Sequence, residues 1–326
     1  MIELRNLGIP PLTTPLPSKI KRLRKRTAAN GRQRLLRNAR EWGIASMLFS
    51  AAALSVLVTA GIVFVLVYES AQFFRHVSLT EFLTGTVWTP AFDNPKFGIL
   101  PLVCGTLLTT GVALAVALPI GTVVAIYLSE FAPFTVRELL KPLLELLSAV
   151  PTVVYGYFAI GFVAPALQMI IPNLPTFNVL SAGLVMGIMI VPYVSSLSED
   201  AMRSVPMLLR EGSYALGANK IRTALAVVFP SALSGIGAAY ILGISRAIGE
   251  TMIVAIAAGN QPNLTLNPTE PAATMTAFIV QVSLGDAAHG SIAYQSIFAT
   301  GLMLFLMTLT FNILGYLLRK RFHQAY

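Results

Sequence analysis

Two ionisable residues stand inside a long apolar stretch, in the segment SRAIGET at positions 245–251. Arg246 and Glu250 are four residues apart, so a continuous helix would place them on one face. The guanidinium of Arg246 is a fork of donors that suits a pair of phosphate oxygens, while Glu250 can accept from a protonated oxyanion or neutralise Arg246. Charges inside a membrane usually face a water-filled cavity, a counter-charge or a substrate. We therefore predict that Arg246 and Glu250 line a substrate path; the alternative is a structural ion pair.

A second group of residues shares a polar segment between two apolar runs, EGSYALGANKIRTALAVVFP at positions 211–230. Its three marked positions, Glu211, Gly217 and Pro230, follow the spacing E-x5-G-x12-P. A polar segment of this kind is predicted to lie at one face of a membrane, outside the hydrocarbon.

The same segment predicts two short helices separated by a turn. Leu208–Tyr214 is expected to form the first helix, with Arg210 and Glu211 pointing to water or to a partner. Gly217 is expected to end that helix, as a glycine just past a helix end commonly does. Asn219–Phe229 is expected to form the second helix, which leads to the membrane. The alternative is an amphipathic helix on the membrane surface without a protein partner.

Composition indicates what kind of protein positions these residues. Of 326 residues, 55% are hydrophobic and 11% are charged, and the mean hydropathy is +0.72. Soluble domains carry about 25% charged residues, so the chain is predicted to be an all-α polytopic membrane protein. The runs free of Asp, Glu, Lys and Arg predict six transmembrane helices near 44–68, 99–128, 146–170, 178–197, 232–258 and 292–318.

Lys and Arg predict the orientation of these six helices. Eleven of the 23 Lys and Arg residues precede position 44, and most of the others lie in alternate loops on the same side. The positive-inside rule then places both termini in the cytoplasm of a plasma (inner) membrane protein. The predicted divisions are a basic cytoplasmic extension 1–43, a first helix 44–68, an outer loop 69–96, a core 97–318 containing the loop 203–230, and a cytoplasmic tail 319–326.

The predicted outer loops contain two further signals. Trp88 lies in the first outer loop, and Trp42 lies at the opposite interface, as expected of aromatic belt residues. The second outer loop, 259–291, contains the apolar stretch Ala272–Leu284, which is too short to span a bilayer. We predict that this stretch forms an interfacial or re-entrant helix.

These motifs support a resemblance to a known family. The spacing of Glu211, Gly217 and Pro230 resembles the EAA loop of ABC importer permeases, with Glu-Gly-Ser in place of Glu-Ala-Ala. The stretch SRAIGETMIVAIAAGN at 245–260 is similar to that of the PstC-type membrane subunit of phosphate ABC importers. LPIGTVVAIYLSEFAP at 118–133 and LLELLSAVPTVVYGYFAI at 143–160 agree with it, and the likeness covers about residues 70–318. Ser245 and Ile248 depart from the family pattern, which has Gly and Leu there.

The resemblance implies a type I ABC importer permease fold and a set of partners. It implies a second, PstA-type permease, two ATP-binding subunits that carry ATP and Mg, and an extracytoplasmic phosphate-binding protein. It also implies that Glu211, Gly217 and Pro230 dock an ATPase subunit, and that transport proceeds by alternating access. The resemblance gives no role in nucleic-acid binding.

Other classes of function fit the sequence less well. The chain has no G-x-x-x-x-G-K-[ST] loop to hold ATP phosphates, so no ATPase site and no cofactor are expected on it. Neither a catalytic group nor a metal-ligand spacing is apparent, and His76, His289 and His323 are expected to be surface residues. A secondary transporter with Glu250 as its ion site would predict inverted repeats, which the sequence does not show. A permease for sulfate, molybdate or a phosphonate would share the loop but not SRAIGETM.

Overall fold

The computed structural model describes the backbone of residues 18–90, 92, 94–285, 288 and 290–321, and the side chains of that set apart from 18–36, 39 and 318–321. The chain divides into two compact units between Phe64 and Val65. In the first unit the described residues belong to one long helix, and the second unit contains all the other described elements. The described residues form helices, turns and two isolated β-bridges, which confirms the all-α prediction.

The described helices follow one another along the chain with short connections. They are α1 (Ser18–Phe73), α2 (Leu79–Thr84), α3 (Leu100–Ile126), α4 (Phe134–Ala149), α5 (Thr152–Phe158), α6 (Ala164–Gln168), α7 (Val179–Arg203), α8 (Met207–Ala215), α9 (Lys220–Thr223), α10 (Phe229–Ser231), α11 (Leu233–Ile248), α12 (Met252–Ala257), α13 (Met275–Ser283) and α14 (Ile292–Arg321). Three π-helical turns join some of them, namely π1 (Tyr127–Phe131), π2 (Ala159–Val163) and π3 (Ala224–Val228).

Four described helices are long and apolar enough to cross a membrane by themselves. They contain the segments Arg40–Phe73, Leu100–Phe131, Val179–Arg203 and Ile292–Leu317. Two further spans arise if each of two bent helix pairs is one crossing, Phe134–Ala149 with Thr152–Gln168 and Lys220–Ser231 with Leu233–Ile248. The predicted number of six spans is reached only if each bent pair is one crossing, and the prediction of single continuous helices at 146–170 and 232–258 was wrong.

The first and third predicted helices begin at other residues in the structure, and the sequence explains both differences. The helix predicted at 44–68 extends upstream to Ser18, because Arg and Lys are good helix formers and continue it beyond the apolar run. The helix predicted at 146–170 begins only at Thr152, since the chain bends by 86° between α4 and α5. Val150, directly before Pro151, has ψ 130°, the extended conformation that a following proline favours.

Close packing of α3 against α7 forms the centre of the second unit. A Cβ at Gly187 of α7 would lie 2.8 Å from the carbonyl oxygen of Ala113 on α3, so only glycine permits this approach. The buried core around it is built mainly from α3, α7, α11 and α12. These helices position the polar groups of α11 and of the loop between α7 and α11.

The predicted outer loops fold back on this core. The helix expected within Ala272–Leu284 is present as α13, and its first four residues are buried. Trp88 is 2% exposed and packs edge-on against Phe278, with ring centroids 4.9 Å apart. The prediction that Trp88 is a belt residue at the membrane interface was wrong, because an aromatic cluster of the two loops encloses it. Trp42 remains 78% exposed.

Candidate functional site

The segment between α7 and α11 contains the predicted helix, turn and second helix. Glu211 is exposed in the middle of α8. Gly217 follows α8 with φ +81°, a conformation that favours glycine, and nothing lies within 4 Å of a Cβ built on it. Asn219 then caps the start of α9, where its side-chain oxygen accepts a hydrogen bond from the backbone N–H of Arg222 (2.8 Å). Pro230 lies in α10, which continues the π-helical turn π3 without a break.

The outward face of α8 and of the turn after it is apolar, apart from the carboxylate of Glu211. Leu208 is 77% exposed and Leu216 is 91% exposed, on either side of Glu211. Met207 and Tyr214 are 59% and 40% exposed. No other described part of the second unit covers these large apolar side chains. Such an exposed apolar stretch is typical of a surface that contacts another protein or a membrane.

The inward face of α8 carries Arg210, which sequence reasoning placed in water. Its side chain is 11% exposed and its Nη2 lies 2.8 Å from Oε1 of Glu130. The expectation that Arg210 points to water or a partner was wrong, because helical periodicity identifies two faces without saying which one the core covers.

Arg246 lies in the last turn of α11 and is exposed. Its guanidinium carbon lies 5.8 Å from the ring centroid of Tyr193, within the range of a cation–π contact. No ion pair joins it to any carboxylate in the described part of the chain. The side chain before it, Ser245, donates a hydrogen bond to Asn312 of α14 (3.1 Å).

Glu250 lies in a break between helices, which corrects the expectation of one continuous helix at 232–258. α11 ends at Ile248 and α12 begins at Met252, so Arg246 and Glu250 do not share a helix face. Glu250 is 9% exposed, and its Oε1 accepts from the backbone N–H of Met252 (3.1 Å). Of the two roles predicted for Glu250, that of counter-charge to Arg246 was wrong, because the carboxylate satisfies the first N–H groups of α12 instead. Contact between Glu250 and a substrate anion stays a prediction.

A hydrogen bond from α13 also stabilises the break between α11 and α12. Thr276 of α13 donates its hydroxyl to the backbone carbonyl oxygen of Glu250 (2.7 Å). Both residues are buried, at 5% and 9% exposure. The outer-loop helix α13 therefore fixes the point at which the fifth apolar run is interrupted.

Sequence reasoning missed an ion cluster at the ends of α4 and α7. Glu199 is fully buried and lies 2.6 Å from Arg137, 3.3 Å from Lys141 and 3.7 Å from Arg203. Asp200, which is 59% exposed, lies 3.1 Å from Lys141. The spacing of Glu199 and Arg203, four residues apart at a helix end, was a signal for one of these pairs. The contacts to α4 had no local signal, because they join residues far apart in sequence, 62 positions for Arg137 and Glu199 and 59 for Lys141 and Asp200.

The histidines and possible metal ligands add no second site. His76 is exposed, as predicted, whereas His289 and His323 lie outside the described residues. Within the described part of the chain, no three His, Cys, Asp or Glu side chains form a group that could hold a metal ion.

Comparison with known proteins agrees with this architecture. Residues 117–325 match the family described as "Binding-protein-dependent transport system inner membrane component". A probable ABC transporter permease protein, YqgH of Bacillus subtilis, is 36% identical over 238 residues, 73% of this chain and 77% of that protein. The phosphate transport system permease protein PstC of Mesorhizobium japonicum is 31% identical over 290 residues, 83% of this chain and 88% of that protein.

Solved structures show the same fold. A chain of a bacterial ABC transporter for the import of alginate superposes with a TM-score of 0.63 at 15% identity, covering 89% of this chain and all of that one. A chain of the MetNI methionine ABC transporter in an inward-facing conformation gives a TM-score of 0.51 at 15% identity, covering 70% and 95%. The chain thus belongs to the family of binding-protein-dependent transport system inner membrane components, and its fold is that of ABC importer permeases.

Proposed function

We propose that this chain is the membrane-spanning permease subunit of an ATP-driven importer of inorganic phosphate. Relatives named as PstC phosphate permeases, from Mesorhizobium japonicum and Haemophilus influenzae among others, are 31% identical over most of the chain. The observation that carries the proposal is the state of Arg246, an exposed guanidinium on a membrane helix with no carboxylate partner in the described part of the chain.

A charge in this position needs an anion or water around it. An unpaired cation within a span is costly, so it is retained where it meets a water-filled path, a partner charge or a substrate. Arg246 lies in the last turn of α11, where the negative end of the helix dipole attracts a positive charge. The planar fork of Arg246 matches two oxygens of a phosphate, and the ring of Tyr193 limits how the fork can turn.

Glu250 has a structural role in this proposal. Because its carboxylate is occupied by backbone N–H groups of α12, it leaves Arg246 free for a passing anion. It also keeps α11 and α12 as separate short helices around a buried break. Half-helices of this kind allow the part that carries Arg246 to move against the outer part.

The loop Glu211–Pro230 is proposed to dock an ATPase subunit. α8 presents apolar side chains and Glu211 outward, and the open turn at Gly217 lets the second helix return to the membrane. ATP and Mg would be held by two partner ATP-binding subunits. When these subunits close on ATP, they need a contact of this kind to transmit the movement to the permease. A second, PstA-type permease would complete the path.

The remaining partner would approach from the other side of the membrane. An extracytoplasmic phosphate-binding protein would deliver its ligand to the outer loops, which α2 and α13 hold together in a buried cluster with Trp88. Both termini, the basic extension before α1 and the loop with α8 would then be cytoplasmic, in agreement with the positive-inside rule.

Phosphate uptake by Arg246 variants tests the proposal. Arg246→Lys keeps the charge but loses the bidentate fork, so uptake of labelled phosphate should fall; Arg246→Gln should abolish it. Arg40→Gln, at an exposed arginine of α1 outside the proposed path and the outer loops, is the matched control and should transport at the unaltered rate. Normal uptake by Arg246→Gln would contradict a role of Arg246 on the path.

A further inference from the structure

The guanidinium of Arg210 fastens α8 to the end of α7. Its Nη1 donates to the carbonyl oxygen of Val205 (2.6 Å), and its Nη2 donates to that of Met202 (2.9 Å). Carbonyls at the end of a helix lack intrahelical partners, and a cation beside them also complements the helix dipole. Arg210 therefore holds α8 and the last turn of α7 together through its donors.

The same guanidinium reaches a second span. Its Nη2 and Nε contact the two carboxylate oxygens of Glu130, at 2.8 Å and 3.4 Å. Glu130 is 5% exposed and lies in π1, the π-helical turn that ends the long helix begun by α3. Two-point contact between a guanidinium and a carboxylate fixes direction as well as distance. A displacement of α8 is thereby tied to the end of α3.

A second contact joins the other half of the loop to the same turn. Nζ of Lys220, the first residue of α9, lies 5.3 Å from the ring centroid of Phe131, the last residue of π1. Ser213 and Thr223 also share a hydrogen bond (2.9 Å), which holds α8 and α9 to each other. α8 and α9 thus both contact π1. Turns of π-helix frequently occur at functional positions in helices.

A hydrogen bond between α3 and α11 connects π1 with the proposed substrate path at Arg246. On α3, Thr122 shares a hydrogen bond with the hydroxyl of Tyr240 on α11. Arg246 follows Tyr240 on the same helix. The packed pair of α3 and α7 therefore connects the loop with the helix that carries the candidate phosphate ligand.

We propose that Arg210 is a positioning residue that passes the movement of α8 into α3 and α7, with Glu130 of π1 as its principal receiver. This inference rests on the proposed function, in which α8 is docked on an ATPase subunit. Arg210 faces inward, so it acts after docking and does not form the docking surface. Its loss should leave the complex assembled and uncouple ATP hydrolysis from transport.

The ratio of phosphate moved to ATP hydrolysed tests this role. The purified full complex is reconstituted in vesicles with Arg210→Gln, which removes every guanidinium contact, or Glu130→Gln, which keeps the shape and both carbonyl contacts. Both variants should retain the ATPase subunits and hydrolyse ATP. The loss of charge-assisted hydrogen bonds should lower the ratio at least about tenfold in Arg210→Gln and less in Glu130→Gln.

Arg40→Gln is the matched control, because Arg40 is an exposed arginine of α1 outside the proposed docking loop, and the ratio of phosphate moved to ATP hydrolysed should not change in this variant. An unaltered ratio in Arg210→Gln overturns the inference; if that variant does not assemble, an unaltered ratio in Glu130→Gln overturns it. Loss of the ATPase subunits from both variants would instead make Arg210 part of the docking contact and equally overturn it. Failure of the unaltered chain to bind ATPase subunits would remove the proposed function itself and this inference with it.

Discussion

At the scale of single residues, the separation of Arg246 from Glu250 changes what each charge is available to do. Had the two side chains formed an ion pair, a phosphate would have had to displace the carboxylate. The structure instead satisfies Glu250 with backbone N–H groups and leaves Arg246 beside an aromatic ring. The residue that we propose as an anion ligand and the residue that maintains the helix break are therefore distinct.

A double variant distinguishes this arrangement from a structural ion pair. Arg246→Gln together with Glu250→Gln removes both charges at once, and uptake should remain abolished because the phosphate ligand is absent. Radiolabelled phosphate uptake, with assembly and ATP hydrolysis measured on the same preparation, provides the readout. Recovery to near the unaltered rate would mean that the two charges only balance one another.

The buried carboxylate of Glu199 predicts a large stability effect for a single change. Glu199→Gln leaves three cations facing a neutral group, and breaking a buried pair costs roughly 3–5 kcal/mol; we expect the low end because the cations remain partly exposed. Thermal unfolding in detergent should show a clearly lower melting temperature. Asp200→Asn is the control, since this exposed pair should contribute at most about 1 kcal/mol. Equal shifts for both variants would contradict the distinction.

At the scale of elements, the turn at Gly217 sets the relative orientation of α8 and α9. Gly217→Val forces a β-branched residue to φ +81°, which costs roughly 1–2 kcal/mol although the surrounding space is open. We expect normal insertion in the membrane with reduced phosphate uptake. The purified complex should also lose ATPase subunits or substrate-stimulated hydrolysis.

Gly217→Asn is the matched control for that change. Asparagine tolerates the left-handed conformation far better than valine, so this variant should keep most of the uptake. If Gly217→Val transports and retains its ATPase subunits as the unaltered chain does, the loop is not the docking element.

The sequence predicts the helices better than their interruptions. Absence of charge located the apolar runs, and Gly217 and Asn219 marked the turn and the start of the second loop helix. The break at Gly249–Thr251 lies in an apolar run that reads as continuous, and the buried hydrogen bond from Thr276 that supports it comes from a distant helix. The inward direction of Arg210 likewise depends on Glu130, eighty residues away. Tertiary partners decide both features, and no local pattern reports them.

At the scale of the whole molecule, the proposed orientation can be tested by labelling. In a Cys104→Ala background, single cysteines at Asn94 and Asn267 should react with an impermeant reagent in intact cells. Cysteines at Arg222 and at Tyr326, which lies outside the described residues, should react only after the membrane is opened. Labelling of position 326 from outside would overturn six crossings with cytoplasmic termini.

The source of energy is the central claim for the whole molecule, and reconstitution tests it most directly. The complete importer is placed in vesicles with ATP and Mg on the cytoplasmic side, and phosphate-loaded binding protein is added on the other side. We predict phosphate uptake that requires ATP, persists when ionophores collapse all ion gradients, and is not competed by sulfate. Uptake that continues without ATP and stops when an ion gradient is collapsed would contradict the account and favour a secondary transporter.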